Sequence, residues 1–474
     1  MQNQNIHVIG IGGTEGSEIA MYLAKQGAQN LTLHDFATTS AFEKSLRTSH
    51  YGFSADQIAA KLNFFDNFKG QINYNDTYLN NIDQADLVFV PQSWHLYEAN
   101  APLKALQGKT TFSSITKLYF DLLPCPIIGI TGSNGKTTTT NLVHHLAKAT
   151  LENSARKVHL TGNDRYHQQL LQQIDAVSPS DLVIIEVSNR QLQIDLGRSP
   201  NIGILTNITP NHLDEYTDFN EYVQAKLSLF KYSTPDTINL VCQEDPVTKQ
   251  HLSQIPNPLP FSTKATPKPG IYLENGHAVA WLPNNNTPIS IPLNNFKLIG
   301  KHNQQNLLAA IFANILLGAD SALLPDAIAT FKAPPKRLEH IGTRNQINYY
   351  NDISSTVPDT TILDLQALNE ATNLPTTLIM GGKNKEVDYT TFEHVIPTLV
   401  DNLIIIKSPI CNDLNILKTT MGNRWHEVTN LAEAVKLDQK LTTAPHNLIL
   451  APTAVYMAYF KDKIDDYNRL EELI

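Results

Sequence analysis

A chain of 474 residues is too long for a single hydrophobic core, so roughly two to four domains are expected. Its 42% hydrophobic and 17% charged residues exclude a disordered chain. The formal net charge of -9 leaves no basic excess to displace counterions, which excludes nucleic acid as the main partner.

No apolar run approaches the ~20 residues that cross a bilayer, so no membrane association is expected. The amino terminus has no basic region followed by an apolar export segment. Cys125, Cys242 and Cys411 are few and scattered, and read as free thiols of a reducing compartment. A cytoplasmic location follows as the expectation.

Residues 1–122 open with a strand (Ile6-His-Val-Ile-Gly10), a glycine turn, a helix from Glu18 to Gln26, and a second strand ending at His34. Asp35 closes that strand. This is the layout of a dinucleotide-type βαβ unit, with an acid placed to meet a ribose or base. Gly10 and Gly12 fit the fingerprint, but Glu15 stands where the third glycine belongs and Gly16 comes one residue late. A further strand, Ala85–Val90, stops at Pro91, where a ligand loop can lie.

Residues 123–333 carry the strongest signal. The apolar run Pro126-Ile-Ile-Gly leads into Gly129-Ile-Thr-Gly-Ser-Asn-Gly-Lys-Thr-Thr138, and a helical pattern follows to Ala149. A glycine loop between a strand and a helix start can wrap a polyphosphate with Gly132, Ser133, Asn134 and Gly135, while Lys136 adds charge and the Thr137 hydroxyl can ligate Mg²⁺. The spacing departs from the standard phosphate loop, since Ile130 holds a position where glycine is expected. Two buried strands follow, Asp181–Glu186 and Asn201–Thr206, as a mostly parallel sheet requires. Glu186 ends the first of them, and a carboxylate there needs a cation or hydrogen bonds. It reads equally as a Mg²⁺ ligand or a satisfied structural acid. His212 and Asp214 come just after the second strand, in Asn207-Ile-Thr-Pro-Asn-His-Leu-Asp-Glu-Tyr216. Lys226 lies in a helical stretch and by itself reads as a solvated lysine. A small β patch is expected around the Asn275-Gly276 hairpin turn. Gly300-Lys-His-Asn-Gln-Gln-Asn306 reads as a helix start whose Asn303 and Asn306 either meet a base or simply begin a core helix.

Residues 334–474 alternate apolar strands (Thr377–Met380, Asn402–Ile406, Asn447–Leu450) with helices, as in another doubly wound α/β domain. Arg337 and Asp352 flank its start and either clamp a nucleotide across a cleft or are ordinary charges.

Taken in order, these motifs resemble the Mur ligases, ATP-dependent amino-acid ligases of peptidoglycan precursor synthesis. The resemblance spans nearly the whole chain and rests on Thr131–Thr138, Glu186-Val-Ser188, Asn207–Asp214, Ala225-Lys226, Gly300-x-His-Asn-x-x-Asn306, Arg337-x-Glu339 and Asn351-Asp352. Within the family, Glu186-Val-Ser-Asn-Arg-Gln-Leu192 is similar to the Glu-Leu-Ser-Ser-Phe-Gln-Leu of members that join D-glutamate to UDP-N-acetylmuramoyl-L-alanine, and Gly381-Gly-Lys-Asn-Lys385 to their Gly-Gly-x-x-Lys. The resemblance implies three α/β domains: a Rossmann-like UDP-binding domain, a phosphate-loop ATPase-like domain, and a Rossmann-like amino-acid-binding domain.

It also implies roles. Lys136, Thr137 and Thr138 would hold ATP phosphates; Glu186 and Thr137 would serve one Mg²⁺, with His212 and a carbamylated Lys226 serving a second. Asn303, Asn306, Arg337 and Asp352 would hold the nucleotide. Thr14, Asp35, Asn163 and Ser188 would face the UDP-sugar, and Lys385, Tyr456 and Lys463 the incoming amino acid. A monomer is expected. Several positions depart from the family pattern: Ser354 stands where lysine is common, Tyr456 replaces a small hydroxyl, Lys463 replaces an aromatic residue, and the Ser-Pro-Gly after the Val90 strand is absent, the chain reading Pro91-Gln-Ser-Trp94. Alternatives are a ligase for another acceptor (L-glutamate, or L-alanine added to UDP-MurNAc), a non-catalytic binding protein of the same fold, and a nicotinamide dehydrogenase. The last leaves the Lys136 loop without a role.

Overall fold

The computed structural model describes residues 3–50, 52–152, 155–163, 169–384, 386–455 and 470. Three sheets follow one another along the chain. The first contains β1 (Asn5–Ile9), β2 (Asn30–Asp35), β3 (Gln71–Tyr74), β4 (Leu87–Phe89) and β5 (Thr111–Ser113). Its order is β3-β2-β1-β4-β5, all parallel. The winding reverses between β1 and β4, which opens a crevice at their carboxyl ends.

The central sheet contains β6 (Ile127–Thr131), β7 (Val158–Gly162), β8 (Leu182–Glu186), β9 (Ile202–Leu205) and β10 (Ile238–Cys242). It continues through β11 (Pro258–Ser262), β12 (Gly270–Glu274), β13 (His277–Trp281) and β14 (Ile289–Pro292). The order is β14-β13-β12-β11-β10-β9-β6-β8-β7. The expected β patch is therefore the antiparallel end of this same sheet, with Asn275-Gly276 as the two-residue turn between β12 and β13. β6 lies between β8 and β9 at a second reversal of winding. The third sheet contains β15 (Glu339–Arg344), β16 (Ile347–Asn351), β17 (Thr376–Met380), β18 (Asn402–Ile406), β19 (Trp425–Val428) and β20 (His446–Leu450). Its order is β15-β16-β20-β17-β18-β19, parallel except for β15.

Strands β6 and β8 are buried along their whole length because helices cover both faces of the sheet. On one face, Ile127, Val183 and Ile185 join an apolar cluster that runs through Leu118 and Tyr119 to Ile6 and Val8 of the first sheet. On the other, Ile128, Ile130 and Ile184 pack with Leu142 and Leu146 and with the helix Lys301–Leu316. Each such side chain contributes about 1.5–3 kcal/mol on burial. The third sheet has its own apolar layer on each face, around Leu378 and Phe392 on one and Ile379 and Val435 on the other.

Where the sequence suggests a helix from Glu18, the helix spans Thr14–Lys25. Its first turn starts early because Gly16 lets the backbone press against the Gly10 carbonyl, with which any Cβ would collide. Gly16 thus performs the close-packing role expected of residue 15. The phosphate-loop helix likewise begins at Lys136 and ends at Thr150. All three cysteines are free, and no helix among the described residues is long and apolar enough to cross a membrane.

A polar knot under the first sheet makes a pH prediction. His34 Nδ1 accepts the Leu79 N–H at 3.2 Å, so its neutral ring carries the proton on Nε2, 2.8 Å from His7 Nδ1. Burial, with His7 adding to it, lowers the His34 pKa to about 3. The unfolded chain therefore binds a proton that the folded chain excludes. The stability this represents is complete above about pH 6.5 and is lost as the pH falls from there toward 3, by up to about 1.4 kcal/mol per pH unit. Denaturant unfolding between pH 7 and 4 should show a shallower loss for His34→Asn, whose carbonyl keeps the Leu79 bond, than for the wild type; equal slopes would contradict this.

Candidate active site

The loop Gly132–Gly135 carries the chain from β6 into the helix Lys136–Thr150. Gly135 occupies the N-cap with φ 80°, in the left-handed region, and no side chain caps the helix. The first-turn N–H groups and the positive end of the helix dipole are therefore presented to the loop. A Cβ on Gly135 would stand 2.5 Å from Asn306 Oδ1. The segment after β9 braces the loop from below. Ser133 Oγ donates to the Thr209 carbonyl and accepts the Thr209 N–H, both at 2.9 Å. Asn207 Oδ1 accepts the Asn134 N–H at 2.9 Å, and the Thr206 hydroxyl donates to the Asn134 carbonyl at 2.5 Å. Ser133 Oγ also lies 2.9 Å from the Tyr222 hydroxyl.

Two lysines converge here. Lys136 Nζ donates to the Gly132 and Ser133 carbonyls at 2.9 Å each. Lys226, on the helix Phe219–Leu227, donates to the same Gly132 carbonyl at 2.7 Å and lies over the Tyr222 ring at 4.6 Å. Lys226 is 0% exposed, so it is not the solvated lysine that its helix alone suggests. Burial, reinforced by the charge of Lys136, holds its pKa well below the ordinary lysine value. Burial also lowers the Lys136 pKa; Glu186 opposes that shift in part and Arg337 adds to it. Glu186 ends β8 buried, and its Oε1 accepts from Asn163 Nδ2 at 3.0 Å.

His212 has a left-handed backbone (φ 56°), and its Nδ1 lies 2.7 Å from Glu215. Glu215 is the centre of a group the sequence does not single out. Arg190 grips it through both guanidinium edges, with Nε to Oε2 at 2.7 Å and Nη2 on Oε1, and His95 Nε2 approaches at 3.5 Å. Burial alone would raise the Glu215 pKa, but the hydrogen bonds from Arg190, His212 and His95 outweigh it and hold the group ionised far below the carboxylate range. His212, Asp214 and Glu215 each offer a ligand atom within 4.8 Å of the others. A carboxylate on Nδ1 fixes the orientation of the imidazole.

Asn303 and Asn306 sit on the helix that backs the loop. The Thr139 hydroxyl donates to Asn306 Oδ1 at 3.1 Å, Asn306 Nδ2 donates to Asn303 Oδ1 at 3.3 Å, and Asn303 Nδ2 donates to the Ile299 carbonyl at 2.8 Å. Thr138 is buried beside them in the first helical turn. The third sheet reaches the loop twice: Arg337 Nη2 donates to Thr137 Oγ1 and the Thr360 hydroxyl to Asn134 Oδ1, both at 2.9 Å. Asp352 Oδ1 accepts the Leu338 N–H at 3.0 Å. Burial lifts the Asp352 pKa to about 6 against the pull of Arg337, and burial and the charge of Asp352 raise that of the neighbouring Asp364.

In the first sheet, Asp35 Oδ2 accepts the Gly12 N–H at 2.7 Å and Oδ1 the Ala37 N–H at 2.9 Å. The Thr14 hydroxyl donates to the Ser49 carbonyl at 3.2 Å. Asn163 and Ser188 meet through Gln92, whose Nε2 donates to Asn163 Oδ1 at 3.1 Å and whose Oε1 accepts from Ser188 Oγ at 2.8 Å. Sequence reading gives Gln92 no role; its only signal is that the family's Ser-Pro-Gly is absent where the chain reads Pro91-Gln-Ser-Trp94. Lys385, Tyr456 and Lys463 lie outside the described residues.

Comparison with known proteins agrees with this geometry. Residues 130–314 match the family model described as the Mur ligase middle domain. The chain is 27% identical to the UDP-N-acetylmuramoylalanine–D-glutamate ligase of Acetivibrio thermocellus, covering 100% of this chain and 97% of that one. It is 30% identical to the enzyme of the same name from Christiangramia forsetii, over 74% of this chain and 76% of the relative. Among solved structures, the UDP-N-acetylmuramate-alanine ligase of Thermotoga maritima superposes with a TM-score of 0.54 at 18% identity, covering 98% and 99% of the two chains. The MurF ligase of the same organism, in complex with ADP, gives 0.56 at 15% identity over 87% and 92%. A whole-length fold with a loop of this construction, together with relatives at this identity and coverage, places the chain in the Mur ligase family.

Proposed function

We propose that the protein is an ATP-dependent amide ligase that adds D-glutamate to UDP-N-acetylmuramoyl-L-alanine in peptidoglycan precursor synthesis. The observation that carries this reading is the uncapped, glycine-lined loop into which Lys136 and the buried Lys226 both point. The relatives named as D-glutamate ligases over the chain's whole length support the choice of substrates. Residues 1–122 would bind the UDP-sugar through Thr14, Asp35, Asn163 and Ser188. Residues 123–333 would bind ATP through Gly132–Thr138, Asn303 and Asn306, with Arg337 and Asp352 reaching in from residues 334–474. The last segment would hold the amino acid through Lys385, Tyr456 and Lys463.

The residues present suit Mg²⁺, because Glu186 and the Thr137 hydroxyl offer the oxygen donors a hard cation takes, and His212, Asp214 and Glu215 bring ligand atoms within 4.8 Å of one another. Two positions would be served, one by Thr137 and Glu186, the other by His212 and Lys226. Bound there, the ion would neutralise charge on the transferring phosphoryl oxygens. Lys226 is poised for carbamylation. In the neutral form that burial favours, its Nζ would attack CO₂, a C–N bond would form, one amine proton would leave to solvent, and a cation-repelling group would become an anionic ligand.

In the reaction, a carboxylate oxygen of the alanyl group attacks the ATP γ-phosphorus. The new O–P bond forms as the bridging bond to ADP breaks, and an acyl phosphate results. The amino nitrogen of glutamate then attacks the carbonyl carbon, phosphate leaves, and the nitrogen loses a proton. Lys136 would swing from the Gly132 and Ser133 carbonyls to the phosphates, and the positive helix end would stabilise the same charge. The contacts of Arg337 and Thr360 with the loop support a reading in which the third sheet's domain covers the acyl phosphate and excludes water.

Phosphate release is expected to need ATP, Mg²⁺, UDP-N-acetylmuramoyl-L-alanine and D-glutamate together; release indifferent to the UDP-sugar would refute the assignment. Lys136→Ala should lower turnover by roughly 10²–10³-fold or more. Lys226→Ala should be similarly impaired and partly restored by acetate or propionate, which replace the lost anion. Full activity in either untreated variant would contradict the assigned roles.

A further inference from the structure

In a parallel sheet that reverses its winding, a ligand is received at the carboxyl ends of the strands beside the reversal. In the first sheet β2 and β4 lie on either side of β1, so the segments that follow them flank the glycine turn at Gly10. Each contributes one aromatic ring. Phe36 is the first residue after β2, and Tyr97 lies in the segment after β4. Their ring centroids stand 5.2 Å apart with the planes 37° from parallel. The Tyr78 ring meets Phe36 edge-on at 6.1 Å.

The local backbone holds both rings at the surface. Asp35 Oδ1 accepts the Ala37 N–H at 2.9 Å, a turn with Phe36 between its ends. Trp94, buried against Phe112, anchors one end of the segment after β4. Asn100 anchors the other, donating to the Trp94 carbonyl at 2.7 Å and accepting from the Tyr78 hydroxyl. Leu96 and Tyr97 lie between these anchors and are 43% and 45% exposed, as Phe36 is at 44%. The five other large apolar side chains exposed among the described residues come from separate segments. Scattered apolar residues would need no explanation, but three gathered at the mouth of one crevice mark a binding surface.

We propose that Phe36 and Tyr97 form the surface on which the uracil ring of the nucleotide-sugar stacks, with Phe36 as a specificity-determining residue. Asp35, the acid assigned to this end of the ligand, is the chain neighbour of Phe36. Its oxygens accept the Gly12 and Ala37 N–H groups, and each keeps a further lone pair. An acceptor for the polar edge of a base therefore lies beside a surface for its face. A flat ring with a polar rim uses both, whereas an aliphatic chain would leave the carboxylate unmatched. This inference rests on the reading of residues 1–122 as the nucleotide-sugar domain and adds the group that recognises the base.

The experiment is calorimetric titration of the full-length protein with UDP and with its dihydrouracil form, whose saturated ring keeps the polar edge but is neither flat nor aromatic. Wild type, Phe36→Leu, Phe36→Tyr and Tyr97→Ala are compared, and thermal unfolding checks that each is folded. The wild type should bind UDP about five- to 100-fold more tightly than the dihydrouracil form. Phe36→Leu, which keeps an apolar cover without a ring, should bind the two alike. Phe36→Tyr should keep the preference, and Tyr97→Ala should keep only part of it. A folded Phe36→Leu with the wild-type preference would overturn the proposal, as would a wild type that binds both forms equally or neither. Phosphate release with UDP-N-acetylmuramoyl-L-alanine separates this role from the assigned reaction. Normal release beside a preference indifferent to Phe36 keeps the ligase and removes the stacking role. A Phe36-dependent preference without release keeps the stacking role and removes the ligase.

Discussion

The rest of the site depends on one constraint: two lysine amines meet the same backbone carbonyl, that of Gly132, at the end of a fully buried strand. Two ammonium groups so close, one of them without solvent, cannot both stay charged at low cost. Lys226 bears the larger part of that cost, since it is wholly buried and its Nζ has the Gly132 carbonyl and the Tyr222 ring beside it, and its pKa lies well below the ordinary lysine value. The depressed pKa follows from the burial of Lys226 on the helix Phe219–Leu227, because a more exposed lysine would remain an ordinary cation.

Around that point the fold divides the work between rigid and movable parts. The loop is fixed from below by Thr206, Asn207 and Thr209 and from behind by Asn306, all on elements of the central sheet's domain. The third domain touches it through single hydrogen bonds from Arg337 and Thr360, contacts that a domain movement can make and break. The first domain is joined by an apolar cluster continuous with the central one, so its crevice keeps its position relative to Asn163 and Ser188. Gln92 bridges that junction, with its N–H on Glu15 and its side chain between Asn163 and Ser188.

Much of this was legible in the sequence. The loop Gly132–Thr138 and the strand ending in Glu186 announce themselves because continuous apolar runs and glycine placement are local properties. The antiparallel end of the central sheet was partly legible, through the Asn275-Gly276 turn. That it extends the central sheet was not, since strand neighbours are set by tertiary pairing. The start of the first helix was misplaced because Gly16 reads as a turn residue until its contact with the Gly10 carbonyl is seen. Lys226 reads as a surface lysine because burial on a mixed helix depends on what packs over it. The Glu215–Arg190–His95 group and the Glu15–Gln92 pair join residues 25 to 120 positions apart by hydrogen bonds, and no local spacing encodes them.

The most direct test of the central claim follows the oxygen atoms. UDP-N-acetylmuramoyl-L-alanine labelled with ¹⁸O in its alanyl carboxylate is turned over with ATP, Mg²⁺ and D-glutamate, and the released phosphate is analysed by mass. Activation of the acid at the Lys136 loop predicts that one labelled oxygen passes to each phosphate released. Phosphate that carries only the oxygens of ATP and water, while amide is formed, would contradict the account.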